Sequence, residues 1–85
     1  MITTGQLTVG TVPSIIDGTY NSVFHLTIHN ADSTQKIYIG GPNVSVTTGL
    51  GIEKLETRQF QMNALEELYA ISTKENHTIH WLKQV

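Results

Sequence analysis

Residues 23–29 alternate without a break. Phe24, Leu26 and Ile28 point one way, and Val23, His25, Thr27 and His29 the other. Side chains on a β-strand point to opposite faces in turn, so this period of two is a strand signal. It recurs in residues 36–39, which pair Ile37 with Ile39, in 57–62, which pair Phe60 with Met62, and in 78–82, which pair Ile79 with Trp81. Shorter pieces fit between them. These are Leu7-Thr8-Val9, the extended run 11–16 in which Pro13 marks an edge or a bend, and residues 44–48 and 52–55. Turn chemistry separates the pieces at Asp17-Gly18, Asn30-Ala31-Asp32-Ser33, Gly40-Gly41-Pro42-Asn43, Gly49-Leu50-Gly51 and Asn76.

Seven or eight short strands at a spacing of about ten residues predict an all-β protein, a small antiparallel β-sandwich or barrel. The strands at 23–29 and 36–39 are expected to form a hairpin. The two glycines flanking Leu50 are expected to supply positive φ. One segment is ambiguous: Leu65, Leu68 and Tyr69 fit a helical stripe with Asn63 as its cap, whereas Leu68, Ala70 and Ser72 fit a strand. The expectation is at most one helical turn at 64–67, leading into a strand from Leu68.

The 85 residues give one domain, 1–85, with a small core that burial against neighbours would supplement. Cysteine is absent, which removes both disulfides and thiolate metal sites. Five Lys and Arg against seven Asp and Glu, unclustered, give no basic patch for phosphates, so nucleic acid is not an expected partner. No apolar run approaches the ~18 residues of a membrane span. Residues 1–10 lack the blocks of a signal peptide. The triplets Asn43-Val44-Ser45 and Asn76-His77-Thr78 match the glycosylation pattern and are read as chance.

No residue pattern here calls for catalysis, a cofactor or a metal. His25 and His29 share a strand face but stand about 13 Å apart, and Thr27 between them is a poor ligand. His77 and His80 fall on opposite faces. Strand pairing can still bring His25 or His29 near His80, and histidines on such faces suit a partly exposed, pH-sensitive interface. Glu66-Glu67 and the pair Glu53 and Glu56 are the candidate carboxylate couples. Both read as solvated charges rather than an acid–base pair, which needs two carboxyls across a substrate. Gly40-Gly41-Pro42-Asn43 is followed by no helix and no Lys-Ser, so it is a corner, not a phosphate loop. Tyr20, Tyr38, Tyr69 and Trp81 are the rings available for a sugar-stacking platform, with Tyr69 and Trp81 expected in or near the core.

The order 24–30, then Ile37-Tyr38-Ile39-Gly40-Gly41-Pro42-Asn43-Val44, then Gly49-Leu50-Gly51-Ile52, then Leu68-Tyr69-Ala70-Ile71-Ser72 resembles a group of small tailed-bacteriophage structural proteins. The opening Leu7-Thr8-Val9-Gly10-Thr11 fits as well, so the resemblance spans nearly the whole chain. The segment at 64–67 departs from simpler members, which carry a Gly-rich turn there. The resemblance implies a β-sandwich virion component without an active site, assembled in the bacterial cytoplasm. Its first form is a capsid decoration protein bound to the phage major capsid protein as a homo-oligomer, a trimer by preference. Its alternatives are a tail, collar or fibre component, or a carbohydrate-binding attachment module.

Overall fold

The computed structural model describes residues 1–16 and 20–85, so the Asp17-Gly18 turn lies outside the described residues. Eight strands follow in order: β1 (Ile2–Val9), β2 (Ser14–Ile15), β3 (Phe24–Asn30), β4 (Ile37–Gly40), β5 (Leu50–Ile52), β6 (Thr57–Met62), β7 (Tyr69–Ser72) and β8 (His77–Gln84). They form two antiparallel sheets, β1-β8-β3-β6 and β2-β7-β4-β5. This order is that of an eight-stranded jelly roll, in which Greek-key connections fold two sheets onto each other.

Alternation decides what the sandwich buries. Phe24, Leu26 and Ile28 of β3, Ile79 of β8 and Val9 of β1 line the inner face of the first sheet. Ile37 and Ile39 of β4, Ile52 of β5 and Ala70 of β7 line the second, and the two rows make one apolar cluster. Trp81 is seated by an absence. Gly5 is its register partner on β1, and a Cβ there would lie 2.3 Å from the indole. The ring therefore lies across the glycine at the rim of the core.

Several local expectations give way to tertiary pairing. β3 and β4 do not form a hairpin: β3 pairs with β6 and β8, while β4 lies in the other sheet between β5 and β7. Alternation says which side chains face inward but not which strand lies alongside. Between β3 and β4, Asp32 Oδ1 accepts hydrogen bonds from Thr34 N, Thr34 Oγ1 and Gln35 N, shaping the loop that carries the chain across.

Residues 44–48 are a loop rather than a strand. Val44 plugs the core edge, and Ser45 Oγ lies 2.9–3.0 Å from the hydroxyls of Thr47 and Thr48, so local side chains take bonds that a ladder would use. Residues 53–56 form a turn instead of extending β5. The segment 64–67 is not helical either: Glu66 N donates to Asn63 O across a turn, and β7 begins at Tyr69. Neither Gly49 nor Gly51 has positive φ. Gly49 is needed for space, since its Cβ would meet Tyr38 and Val44 at 2.7 Å. Among the described residues, positive φ belongs to Leu55, Leu65 and Asn76.

Candidate functional site

The most concentrated polar chemistry is sealed inside. Asn30, Ser72 and His77 are buried at 0%, 1% and 0% exposure. Asn30 ends β3, His77 opens β8, and Ser72 ends β7 in the facing sheet, so the three bridge the sandwich. Ser72 Oγ lies 2.8 Å from His77 Nδ1, and His77 Nε2 lies 2.7 Å from Asn30 Oδ1. The partners fix the protons. Asn30 Nδ2 donates to the carbonyls of Gln35, Ile52 and Glu53, so Oδ1 faces the ring and can only accept. His77 is then the Nε2–H tautomer and accepts a hydrogen bond from the Ser72 hydroxyl at Nδ1. Ser72 Oγ in turn accepts the Lys74 amide.

Burial holds the His77 ring below its ordinary pKa of 6.5. Asp32 pulls it upward and Lys74 presses it down. A serine, a histidine and an amide in a row invite comparison with a nucleophilic triad. Here the hydroxyl has no open side from which a substrate could approach. The set works as a staple, gathering loops 31–36, 53–56 and 73–76 at one end of the sandwich. An Asp32–Lys74 ion pair closes that end from outside. Sequence reading placed all four histidines on partly exposed strands. For His77 that is corrected: it is on the inner face, where its polar partners are supplied.

The other singled-out groups separate. Glu56 accepts the amide of Glu53, its own turn's first residue, and pairs with Arg58; these contacts hold its carboxyl below the usual range. Glu66 Oε1 accepts the amide of Asn63 at 2.6 Å, and Glu67 is exposed. Glu56 and Glu66 are thus turn clasps. The rings do not form a platform. Tyr38 and Tyr69 share the outer face of the second sheet, Tyr20 packs edge-on against Phe24 at 6.4 Å, and Trp81 belongs to the inner face of the first sheet. Gly40, Gly41, Pro42 and Asn43 border a shallow surface hollow with Val44 and Thr48.

Two open features remain. The first is the outer face of the first sheet. Register places Gln6, His80, His29 and Thr57 in one row across all four strands, and Thr4, Leu82, Thr27 and Gln59 in the next. No Asp, Glu, Lys or Arg stands at a strand position on this face. A groove of about 490 Å³ runs along it, with His29 and His80 among its walls. The two imidazoles stand with centroids 6.4 Å apart, tilted 41° to each other. His25 stands two rows away, beside Gln61 and Gln84. Among the described residues no three His, Asp or Glu side chains converge.

The second feature is the pair of sheet edges. In the first sheet β1, eight residues long, and β6, six residues long, have a neighbour on one side only. The ends of β6 carry the same device twice. Glu53-Lys54-Leu55-Glu56 and Asn63-Ala64-Leu65-Glu66 each close with the fourth amide on the first carbonyl and the Glu carboxylate on the first amide. Each holds its Leu at positive φ, 60° and 64°. Those leucines are 58% and 65% exposed. Sequence reading missed them; the signal was the repeated Leu-Glu at the third and fourth turn positions. On the opposite side, around β1 and β2, Met1, Ile2 and Val12 are exposed.

The architecture is therefore that of a small jelly roll with open, apolar-flanked edges and, among the described residues, no group of three His, Asp or Glu placed to hold a metal ion. No family model and no curated protein matches the chain. Among solved structures, it is similar to a chain from the work titled "Bacillus endospore appendages form a novel family of disulfide-linked pili". The TM-score is 0.66 at 10% identity, over 100% of this chain and 85% of that one. The likeness is one of fold alone. A bacteriophage relative is not among these findings.

Proposed function

We propose that this protein is a non-enzymatic structural subunit that assembles with copies of itself through its sheet edges. The observation that carries the reading is the asymmetry of those edges. The β5 and β6 side presents Leu50, Leu55 and Leu65, and the β1 and β2 side presents Met1, Ile2 and Val12. An unpaired strand edge offers a row of backbone donors and acceptors to another chain. Exposed aliphatic side chains at its ends supply apolar area for that contact. Leucine at positive φ costs roughly 1–2 kcal/mol, a cost that glycine avoids. Two such leucines at the two ends of one edge strand support a role for the side chains themselves. The pilus subunit of similar fold supports the same reading. The linkage would differ: with no Cys in these 85 residues, the contact is non-covalent.

A second reading keeps the virion role. Jelly rolls recur in viral capsid proteins, and the sequence resembles small phage structural proteins. In that case the partner is the outer capsid lattice and the oligomer is a closed trimer assembled in the bacterial cytoplasm. Light scattering against concentration separates the two. Open edge pairing gives a mass that keeps rising with concentration; a decoration protein gives a plateau at one small number. The double variant Leu55→Glu, Leu65→Glu should reduce the mass to that of a monomer. A wild-type chain that stays monomeric at millimolar concentration overturns self-assembly.

A further inference from the structure

We propose that His29 and His80 form a chelating site for a late first-row divalent cation, Cu²⁺ or Zn²⁺, on the outer face of the first sheet. Neutral imidazole is a good donor for these ions. The two residues are direct register partners on β3 and β8, and their rings stand 6.4 Å apart between centroids, tilted 41° to each other. An ion held about 2.0–2.1 Å from one nitrogen of each ring, at a tetrahedral angle, needs centroids about 5 Å apart. A rotamer adjustment of the exposed His80 side chain closes that gap of about 1 Å.

One ring is already oriented. His29 Nδ1 lies 2.9 Å from Thr57 Oγ1. Donating that N–H to the hydroxyl leaves Nε2 as the lone pair for the ion, the arrangement by which an outer partner fixes a ligating histidine. Gln6 is the register partner of His80 on the other side, so its side-chain oxygen or a water can supply a further donor. No cationic side chain stands in these rows to repel a metal, and the groove leaves the pair open to solvent. His25, two residues from Thr27 and without a facing histidine, has no such partner.

Trp81, next to His80 in sequence and the sole Trp, makes the test simple. Titration of Cu²⁺ into the whole protein should quench its fluorescence saturably, at one ion per chain. His29→Gln and His80→Gln should each weaken the binding at least about tenfold, and Thr57→Val by about ten-fold through loss of ring orientation. His25→Gln should bind as wild type. Circular dichroism of each variant confirms folding, and Zn²⁺ calorimetry gives the same ranking without a quencher. Unsaturable quenching, or equal loss in His25→Gln and His80→Gln, overturns the proposal. So does binding that survives both His29→Gln and His80→Gln.

Discussion

At the scale of single residues, Asn30 ties more backbone than any other side chain described here. Its amide serves three carbonyls and its oxygen serves Asp32 N and His77. Asn30→Leu keeps similar volume but strands these groups in the interior. A buried unpaired group costs about 1–3 kcal/mol, so the loss should be 3 kcal/mol or more by urea denaturation. His77 makes stability depend on pH in a defined direction. Its folded pKa lies below 6.5 because burial disfavours the charge. As pH falls below 6.5 the unfolded chain takes up this proton and the folded chain does not, so stability falls by up to about 1.4 kcal/mol per pH unit until the folded ring titrates. Asp32 acts in a lower window. Lys74 and Thr34 hold its carboxyl well below the usual 3.8, so its stabilisation is present above that value and is lost as pH falls below it. Denaturation midpoints at pH 7.5, 5.5, 4.0 and 2.5 check both, and His77→Gln should flatten the first step alone. Neither residue's role was legible in sequence. Asn30 read as a turn residue and His77 as a half-exposed strand residue, because all their partners but Asp32 N lie 5 to 47 positions away.

At the scale of elements, the strands were legible where alternation is long. β3, β6 and β8 stand where Phe24, Leu26, Ile28, Phe60, Met62, Ile79 and Trp81 placed them. Pairing was not legible, since the β3–β4 hairpin that chain order suggests gives way to partners in two different sheets. The turns around β6 were also hidden, because leucine is a poor predictor of positive φ. They give a prediction with opposite signs at two levels. Leu65→Gly relieves backbone strain and removes an exposed apolar side chain. The monomer's thermal midpoint should hold or rise by a few degrees, while self-association weakens. Gly5→Val tests the other end of the same sheet. A Cβ collides with Trp81, so the indole must leave its seat, and its emission should shift red with a stability loss of about 1–3 kcal/mol.

At the scale of the whole molecule, a body of 33 × 23 × 16 Å presents the eight-residue strand β1 at one edge of its first sheet. If the contact is edge pairing with apolar flanks, it should persist in reducing agent and dissolve in urea, the reverse of a cross-linked fibre. Electron microscopy with and without dithiothreitol decides this: assemblies that vanish on reduction contradict a chain without cysteine. The sequence carried the all-β class, because it follows from local alternation and turn composition. It did not carry the jelly-roll topology, which is a property of strand order.

That strand order has one more consequence. Each sheet holds an even number of strands, and every neighbouring pair runs in opposite directions. The first and last strands of a sheet therefore point opposite ways. A second subunit displaced sideways, without any half-turn, presents its β1 to β6 of the first with the antiparallel sense already correct. Because the sheet twists, each added subunit would also turn by the accumulated twist, so a row built this way would be a directional helical one with two unlike ends.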